Sequence, residues 1–246
     1  MIIAVANQKG GVTKTTAVHN IGASLARRGK RVLAIDFDPQ ASLTICMGKE
    51  PVDFEYTVCE IMQRNPIDIE KCICNISTNL DLLPSSLYLA AQELELTSRT
   101  ARETILAKAL RPIRDNYDYI LIDCPPQLSV LTLNALSAAD QVLVPSQATY
   151  LSYRGLDMLE NTLNDVRDLI NPNLKIMGVI VTLYEKNVKK QQEIMELLKG
   201  KYKIIGTTKK TAAAAAGIYD GLAVVEADPR SAIAKEYEQI VDNILN

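Results

Sequence analysis

The N-terminal segment of the chain places a short apolar run directly before a glycine-containing loop and a helical pattern. Residues 2–6 are continuously apolar, as expected of a parallel strand that is buried on both faces. The loop at residues 9–16 reads KGGVTKTT, and apolar or small residues then recur at helical spacing over residues 15–28. A strand, a glycine-containing loop and a helix in this order open an α/β unit that can bind phosphate at the helix N-terminus.

The rest of the chain repeats the alternation of short apolar runs and longer helical patterns. Further strands are predicted at 31–35, 80–83, 119–122, 141–144, 175–182 and 202–205, and helices near 86–97, 100–116, 152–170, 188–199 and 230–245. Short helices are expected within 40–79, and a helical turn at 212–216. The pattern predicts an α/β, doubly wound, mostly parallel sheet flanked by helices (a P-loop NTPase fold), with a single domain over residues 1–246.

Composition and cysteine usage indicate a cytoplasmic protein. Hydrophobic residues make up 48% of the chain and charged residues 23%, and no run approaches the roughly 20 apolar residues that cross a bilayer. The N-terminus has neither the basic segment nor the cleavage site of a secretory signal. The five cysteines are odd in number and irregularly spaced, so they favour reduced, partly buried thiols over disulfides or a metal site at Cys72 and Cys74.

The glycine-containing loop supplies the first group of candidate site residues. Its glycines let backbone N–H groups turn towards phosphate oxygens, and the helix dipole favours the negative charge there. Lys14 is expected to contact the β- and γ-phosphates, the Thr15 hydroxyl to bind Mg²⁺, and Thr16 to lie near the α-phosphate. The predicted ATP-binding residues are Lys9, Gly10, Gly11, Val12, Thr13, Lys14, Thr15, Thr16 and Lys210.

Carboxylates follow two of the predicted strands. Asp36 and Asp38 leave the second strand, and alternation along an extended chain puts both on one side. Asp123 ends an apolar strand, which is the usual place of a Walker B aspartate that holds a Mg²⁺-bound water. Each aspartate alone is as readily a cap or turn residue. Together with the loop they predict a magnesium site formed by Thr15, Asp38 and Asp123, the aspartates acting through water.

The loop departs from the strict pattern GxxxxGK[ST], since Gln8 and Thr13 stand at its two glycine positions, and it carries an additional lysine, Lys9. With these features, the stretches ANQKGGVTKTTAVHNIGASLARRGKRVLAIDFDPQ and YDYILIDCPP resemble the ParA branch of the deviant-Walker ATPases, the family that also contains MinD. Weaker likeness continues through VPSQATYLSYRGLDML and the segment from residue 209 to 241, so the resemblance covers nearly the whole chain.

The resemblance implies an ATPase that requires Mg²⁺, forms a homodimer when ATP is bound, and hydrolyses ATP slowly until a partner stimulates it. Lys9 matches the signature lysine that reaches the partner subunit's nucleotide. Asp38 matches the residue that positions the attacking water, so the implied catalytic residues are Lys9, Lys14 and Asp38. Asp123 matches the Walker B aspartate, and Asp36 is a candidate near Mg²⁺ that does not contact the ion directly. The stretch 208–210 corresponds, less specifically, to the region that packs near the adenine base of ATP.

The resemblance also implies a role in segregating plasmids or chromosomes. The expected partners are a second copy of the chain, a ParB-type centromere-binding protein and non-specific double-stranded DNA, with no membrane; the expected location is the nucleoid DNA of the cytoplasm. The sequence resembles the short family members, which lack an N-terminal helix-turn-helix, so direct operator recognition is not expected.

The charge distribution gives an independent indication of DNA binding. Residues 175–210 hold nine lysines and three glutamates, a net charge of +6 in a chain of net charge −2. A solvated helix face is the plainer interpretation of such lysines. Their clustering favours contacts with the phosphate backbone of a duplex. The candidate DNA-binding residues are Lys186, Lys189, Lys190, Lys209 and Lys210.

Three alternatives share the same nucleotide site. A MinD-like membrane ATPase usually ends in a basic amphipathic helix, whereas the tail AIAKEYEQIVDNILN has three acidic residues and one lysine. An iron–sulfur protein needs cysteine ligands at a dimer interface, and Cys124 is better explained by packing. An ATPase that positions a protein cluster instead of DNA remains open from the site alone.

Thr13 raises a separate question, because the family pattern usually has glycine before the second lysine. Glycine is favoured where the backbone needs positive φ or a very close approach to phosphate, and a β-branched residue resists positive φ. Either the backbone at residue 13 accepts a β-carbon, or ATP binding or dimer closure is altered.

Overall fold

The computed structural model describes residues 1–211, 217 and 220–246 of the chain. The helical turn expected at 212–216 lies outside the described residues. Within them the strands are β1 (Ile2–Val5), β2 (Val32–Asp36), β3 (Cys74–Ser77), β4 (Leu80–Leu83), β5 (Tyr119–Asp123), β6 (Gln141–Gln147), β7 (Lys175–Thr182) and β8 (Ile204–Thr207).

These strands form one sheet in the order β3-β4-β2-β5-β1-β6-β7-β8. All neighbours are parallel except β3 and β4, which pair antiparallel at one edge. The central strands β1, β2 and β5 are almost completely buried, which is why they read as continuous apolar runs. The doubly wound, mostly parallel α/β fold predicted from the sequence is therefore confirmed.

The helices cover both faces of the sheet. In chain order they are α1 (Lys14–Arg27), α2 (Ser42–Cys46), α3 (Val58–Met62), α4 (Tyr88–Leu96), α5 (Ile105–Leu110), α6 (Val130–Ala138), α7 (Tyr150–Leu169), α8 (Lys189–Lys201), α9 (Val224–Ala227) and α10 (Ala232–Leu245). One apolar core forms under α1, α2, α9 and α10, and the other under α3 to α8. Among the described residues no helix combines the length and apolar character needed to span a membrane.

Three elements are absent from the sequence-based prediction: the edge strand β3, the buried helix α6 and the single-turn helix α9. β3 carries polar residues and is only partly buried at the sheet edge, so it lacks a strand pattern. α6 is buried on most sides, so its sequence VLTLNALSA has no polar face to mark a helical period. The helix expected at 100–116 is instead interrupted: Asn134 of α6 accepts the backbone N–H of Leu106 at 3.1 Å and donates to the carbonyl of Arg102 at 2.7 Å.

The strand register brings the carboxyl ends of β1, β2 and β5 together. Val5 lies beside Asp123 of β5, and Asp36 of β2 lies beside Asp123 on its other side. The loop between β1 and α1 leaves the sheet at this same edge. Ligands of open parallel sheets bind at this edge, so the fold places all the predicted chemical groups at one end of the molecule.

The turn into α1 has an unusual backbone conformation. Thr13, the residue before the first helical position, has φ 65° and ψ 33°, in the left-handed region. The loop therefore keeps the conformation for which glycine is favoured, and a β-branched residue occupies it. A left-handed conformation costs a non-glycine residue about 1–2 kcal/mol. The backbone at residue 13 thus carries a β-carbon in the left-handed region, at a conformational cost.

We predict that Thr13→Gly stabilises the protein in the absence of nucleotide. Glycine relieves the left-handed strain but adds freedom to the unfolded chain, so we expect the free energy of unfolding to rise by about 1 kcal/mol or less. Urea denaturation followed by circular dichroism measures the change.

The matched control is Thr162→Gly in the middle of α7, where the backbone is helical. Glycine is a poorer helix former than threonine, so this variant should lose a few tenths of a kcal/mol. Destabilisation of both variants to the same extent would contradict the assignment of strain to Thr13.

Candidate functional site

The loop between β1 and α1 forms an open anion site. Gly11 adopts φ +68°, and a Cβ added at Gly10 or Gly11 would meet nothing within 4 Å. α1 has no side-chain cap at its N-terminus and no acidic residue in its first turn. Its first backbone N–H groups therefore face the loop, where an anion can accept them. The Thr182 hydroxyl, at the end of β7, donates to the Val12 carbonyl at 3.2 Å and holds the far side of the loop.

Lys14 lies at the base of this loop. Its side chain is largely buried, with 8% of the residue exposed, and its Nζ donates to the Asn7 carbonyl at 3.3 Å. That single long hydrogen bond leaves most of the ammonium's donor capacity free. A partly desolvated cation beside a helix N-terminus adds to the attraction for phosphate.

Thr15 and Asp123 form the part of the site that fits a metal ion. The Thr15 hydroxyl donates to Asp123 Oδ2 at 2.6 Å, while Asp123 Oδ1 is buried without a hydrogen-bond partner. A buried carboxylate oxygen with no donor is expensive, and a Mg²⁺-bound water is the donor that this position fits. The structure thus brings Thr15 and Asp123 together as predicted.

Asp36 and Asp123 are neighbouring buried carboxylates. Burial, and then the charge of Asp36, raise the pKa of Asp123 well above its ordinary value. Burial also raises the pKa of Asp36 to about 6, although the Thr44 backbone N–H and hydroxyl donate to its Oδ2 at 2.7 and 2.8 Å. A cation at this point would favour ionisation of both groups, because it offsets their mutual repulsion.

Asp38 lies two residues beyond the strand and is half-buried. Its Oδ1 accepts the Gln40 backbone N–H at 2.9 Å, and its carbonyl accepts the Ser85 hydroxyl at 2.8 Å. Its own N–H donates to Asp36 Oδ1 at 3.3 Å. The backbone of Asp38 is thus tied to the end of β2 on one side and to the turn after β4 on the other, while its carboxylate is held by Gln40.

Lys9 is held by its own subunit. Its Nζ donates to Gln147 Oε1 and to the Ser152 hydroxyl, both at 3.1 Å. The amide nitrogen of Gln147 donates in turn to the Gly11 carbonyl at 3.1 Å, so Gln147 bridges Lys9 and the loop. Sequence reasoning missed Gln147, Ser152 and the Asn7 side chain, which accepts the Lys9 N–H at 3.0 Å. The only signal for Gln147 is its place at the end of β6, on the same sheet edge.

The predicted DNA-binding lysines lie beyond the carboxyl ends of β7 and β8. Lys186, Lys209 and Lys210 line one cleft of about 600 Å³ together with Tyr184, Glu185 and Asn187. Lys189 and Lys190 open α8, just after this cleft. Lys209 also faces Glu236 at 3.9 Å.

The other four lysines of residues 175–210 are either paired with carboxylates or lie at the opposite end of the sheet. Lys199 pairs with Glu196 at 2.7 Å, and Lys201 pairs with Asp157 at 3.0 Å. Lys175 and Lys203 lie at the amino ends of β7 and β8, away from the site edge. The structure thus separates the five candidate lysines from the remainder of the segment.

Cys124 follows Asp123 and is 1% exposed. Burial raises its pKa, and its thiol lies against the sheet. The position agrees with a packing role and leaves this thiol inaccessible as a ligand at a subunit surface.

Comparison with known proteins places the chain among characterised relatives. A family model described as an AAA domain (AAA_31) matches residues 1–176. The sporulation initiation inhibitor protein Soj of Bacillus subtilis is 42% identical over 198 residues, which cover 80% of this chain and 78% of Soj. The chromosome partitioning protein ParA of Myxococcus xanthus is 38% identical over 202 residues, which cover 82% of this chain and 71% of that ParA.

Solved structures agree in fold. A cobyrinic acid a,c-diamide synthase from Mycobacterium smegmatis, with bound ATP analog and magnesium, superposes with a TM-score of 0.87 at 34% identity, covering 99% of this chain and 93% of that one.

Two uncharacterised Mycobacterium tuberculosis proteins are 40% identical, and the chain spans 61% of their length. With the matched domain, the Soj and ParA relatives and the phosphate loop carrying Lys9 and Lys14, the chain belongs to the ParA-type family of deviant-Walker partition ATPases.

Proposed function

We propose that the protein is a Mg²⁺-dependent ATPase that dimerises when it binds ATP and then binds duplex DNA without sequence preference. The observation that carries the nucleotide part is the convergence of Lys14, Thr15 and the unpartnered Asp123 oxygen at the N-terminus of α1. The ATP analog and magnesium bound by the Mycobacterium smegmatis structure support the same ligands here.

The roles of the chain's own groups follow from their positions. Lys14 would exchange the Asn7 carbonyl for phosphate oxygens. Thr15 and Asp123 would hold Mg²⁺, Asp123 through a water, and the ion would neutralise phosphate charge there. Asp36 stays hydrogen-bonded to Thr44 behind Asp123. The remaining ATP-binding candidates are Gly10, Gly11, Val12, Thr13, Thr16 and Lys210.

Hydrolysis requires a water molecule in line with the γ-phosphate. Asp38 is half-exposed at the edge of the site, so its carboxylate can accept a hydrogen bond from that water and orient it. Lys9 leaves Gln147 and Ser152 on dimerisation and offsets phosphate charge in the partner's site. The role of Asp38 in orienting water and the role of Lys9 in the partner's site are both those that the family resemblance implies.

DNA binding is proposed for the surface around Lys186, Lys189, Lys190, Lys209 and Lys210. The five side chains are clustered at one end of a chain of net charge −2, which favours contact with phosphates. Aromatic side chains do not alternate with these lysines, so duplex contact is favoured over base stacking.

The proposed biological role is plasmid or chromosome partitioning with a ParB-type partner that stimulates hydrolysis, on nucleoid DNA in the cytoplasm. The Soj and ParA relatives support this role. A membrane-surface role is less favoured, because the apolar face of α10 is buried against α1 and β8.

We predict that Lys14→Ala weakens ATP binding at least about tenfold, since about 1.4 kcal/mol corresponds to that factor and the lysine is the partly buried cation of the site. Titration with a fluorescent ATP analogue in Mg²⁺ measures the affinity. Lys30→Ala, at the opposite end of α1, is the control and should leave it unchanged. Unchanged affinity in Lys14→Ala would overturn the assigned role.

Asp38→Ala should retain ATP-dependent dimerisation and lose at least about 100-fold in turnover, the range expected for general acid–base assistance. Sedimentation velocity and phosphate release measure the two quantities separately. Asp165→Ala, exposed on α7, is the control. Normal turnover in Asp38→Ala would refute the proposed orientation of water by this residue.

DNA binding should require the ATP state and weaken with salt. With a slowly hydrolysed ATP analogue, the double variant Lys189→Ala/Lys190→Ala should bind a random duplex more weakly, with a salt slope smaller by about 2. The control is Lys175→Ala/Lys203→Ala at the other sheet edge, which removes the same charge. Equal DNA binding with ADP, with ATP and without nucleotide would contradict the proposal that ATP controls DNA binding. Equal losses of DNA affinity in both double variants would contradict the assignment of DNA binding to the surface around Lys189 and Lys190.

A further inference from the structure

Tyr237 is a buried tyrosine of α10. It is 1% exposed and packs in the apolar core under α1, α2, α9 and α10. A buried tyrosine hydroxyl normally has a hydrogen-bond partner. The hydroxyl of Thr13, at the turn from the phosphate loop into α1, lies beside it. The helix α10 therefore reaches the phosphate loop through a pair of hydroxyl groups.

The Thr13 hydroxyl is buried as well. Among the described residues, no hydrogen bond of normal geometry satisfies Thr13 Oγ1. Burial, and then the charge of Glu236, raise the pKa of Tyr237, and the Thr13 hydroxyl counteracts them. An unsatisfied buried hydroxyl is costly, so a loop conformation in which the two hydroxyls form a full hydrogen bond is favoured over one in which they do not.

α10 is fixed tightly against the sheet. Gly206 of β8 makes the close approach possible, because a Cβ added there would lie 2.5 Å from Cγ1 of Ile240. Ile240 lies about one turn beyond Tyr237 on the same helix. The Asn243 side chain donates to the Ile205 carbonyl at 2.8 Å and holds the next turn against β8. The tyrosine ring is therefore presented from a rigid element.

α10 also holds the far end of α1. Arg28, which follows the last residue of α1, pairs with Glu238 and Asp242 at 2.6 Å each. Two carboxylates on one guanidinium restrict its position more than one does. With Tyr237 beside Thr13 at the other end, α10 contacts α1 at both of its ends. A movement of the loop end of α1 therefore changes the contact between the two hydroxyls.

The conformation of Thr13 determines where the backbone N–H groups of the loop point. A left-handed residue beside right-handed ones creates a concavity of successive N–H groups that binds anions. Thr13 adopts this conformation at φ 65°, with a conformational cost that glycine does not have. If only a fraction of the molecules keeps the loop in this conformation, the apparent affinity for phosphate falls by that fraction.

We propose that Tyr237 is a positioning residue of the nucleotide site: it donates a hydrogen bond to the Thr13 hydroxyl when the loop closes on phosphate, and so holds Thr13 in the left-handed conformation. The inference rests on the proposed binding of ATP. Tyr237 does not touch the nucleotide and acts through Thr13. The hydroxyl of one residue thus offsets the strain of the other, in the ligand-bound state.

The main test is Tyr237→Phe, which removes the hydroxyl and keeps the ring. The dissociation constant for a fluorescent ATP analogue in Mg²⁺ should rise about three- to tenfold, the factor that one neutral hydrogen bond provides. The midpoint of urea unfolding without nucleotide should stay the same or rise, because the hydroxyl is unsatisfied there. Unchanged or tighter binding would overturn the proposal. A loss of stability together with affinity would assign Tyr237 to packing alone and would also overturn it.

Action through Thr13 has a separate measurement. In a protein that carries Thr13→Gly, adding Tyr237→Phe should change the affinity less than about twofold, because no hydroxyl remains to be held. In a protein that carries Thr13→Ser, which keeps the hydroxyl, Tyr237→Phe should weaken binding as it does in the wild type. Equal losses of affinity in the glycine and serine backgrounds would refute the action through Thr13.

The matched control is Tyr117→Phe, near the amino ends of the strands. The Tyr117 hydroxyl donates to Asp81 at 2.9 Å, so this variant should lose stability and keep its affinity for the ATP analogue. An equal loss of affinity in Tyr117→Phe and Tyr237→Phe would show that destabilisation causes it and would contradict the positioning role. A wild-type protein that binds no ATP analogue would refute the proposed function itself, whereas equal binding by wild type and Tyr237→Phe refutes only the role of Tyr237.

Discussion

The proximity of Asp36 and Asp123 at the ends of two neighbouring strands governs the rest of the site. The parallel register sets the two carboxylates side by side in the interior, where water is excluded and like charges repel strongly. Three neighbours reduce that repulsion: Thr44 donates twice to Asp36, Thr15 donates to Asp123, and Lys14 places a cation nearby. A divalent cation completes this arrangement. The apolar runs that bury the strands are therefore also what makes the site selective for a charged ligand.

The same arrangement relates the sheet to the surface. Asp36 contacts Asp38, and the turn after Asp38 contacts both the end of β4 and an apolar surface groove. Only a few covalent bonds and hydrogen bonds separate the buried carboxylate of Asp36 from the surface groove that Gln40, Ala41 and Ser86 line. Ser85 is central to this connection, since its N–H donates to Thr44 Oγ1 at 3.1 Å while its hydroxyl donates to the Asp38 carbonyl at 2.8 Å.

Much of the fold and of the loop was predictable from the sequence, for identifiable reasons. Strands buried on both faces have uninterrupted apolar runs, and the loop residues from Lys9 to Thr16 have a spacing that phosphate binding requires. The edge strand β3 and the buried helix α6 were missed because partial and complete burial both erase the expected periodicity. Gln147 and Thr44 were missed because their roles come from strand register, and pairing between distant segments leaves no local pattern. The surface groove beside the turn at Asp38 was likewise invisible, since its walls come from two segments, residues 40–60 and 86–88, with 25 residues between them.

The bridge from Gln147 to Lys9 has a thermodynamic consequence for assembly. While Lys9 is bound to Gln147 and Ser152, the subunit is not competent to offer that cation to a partner. In the proposed symmetric dimer both subunits must free the lysine, so the apparent dissociation constant equals the intrinsic constant divided by the square of the fraction of subunits in which it is free. Because Gln147 also holds the Gly11 carbonyl, a ligand that rearranges the loop raises that fraction. In the proposed dimer, nucleotide occupancy thus sets affinity through the population of free lysines, in addition to the contact that Lys9 makes with the partner's nucleotide.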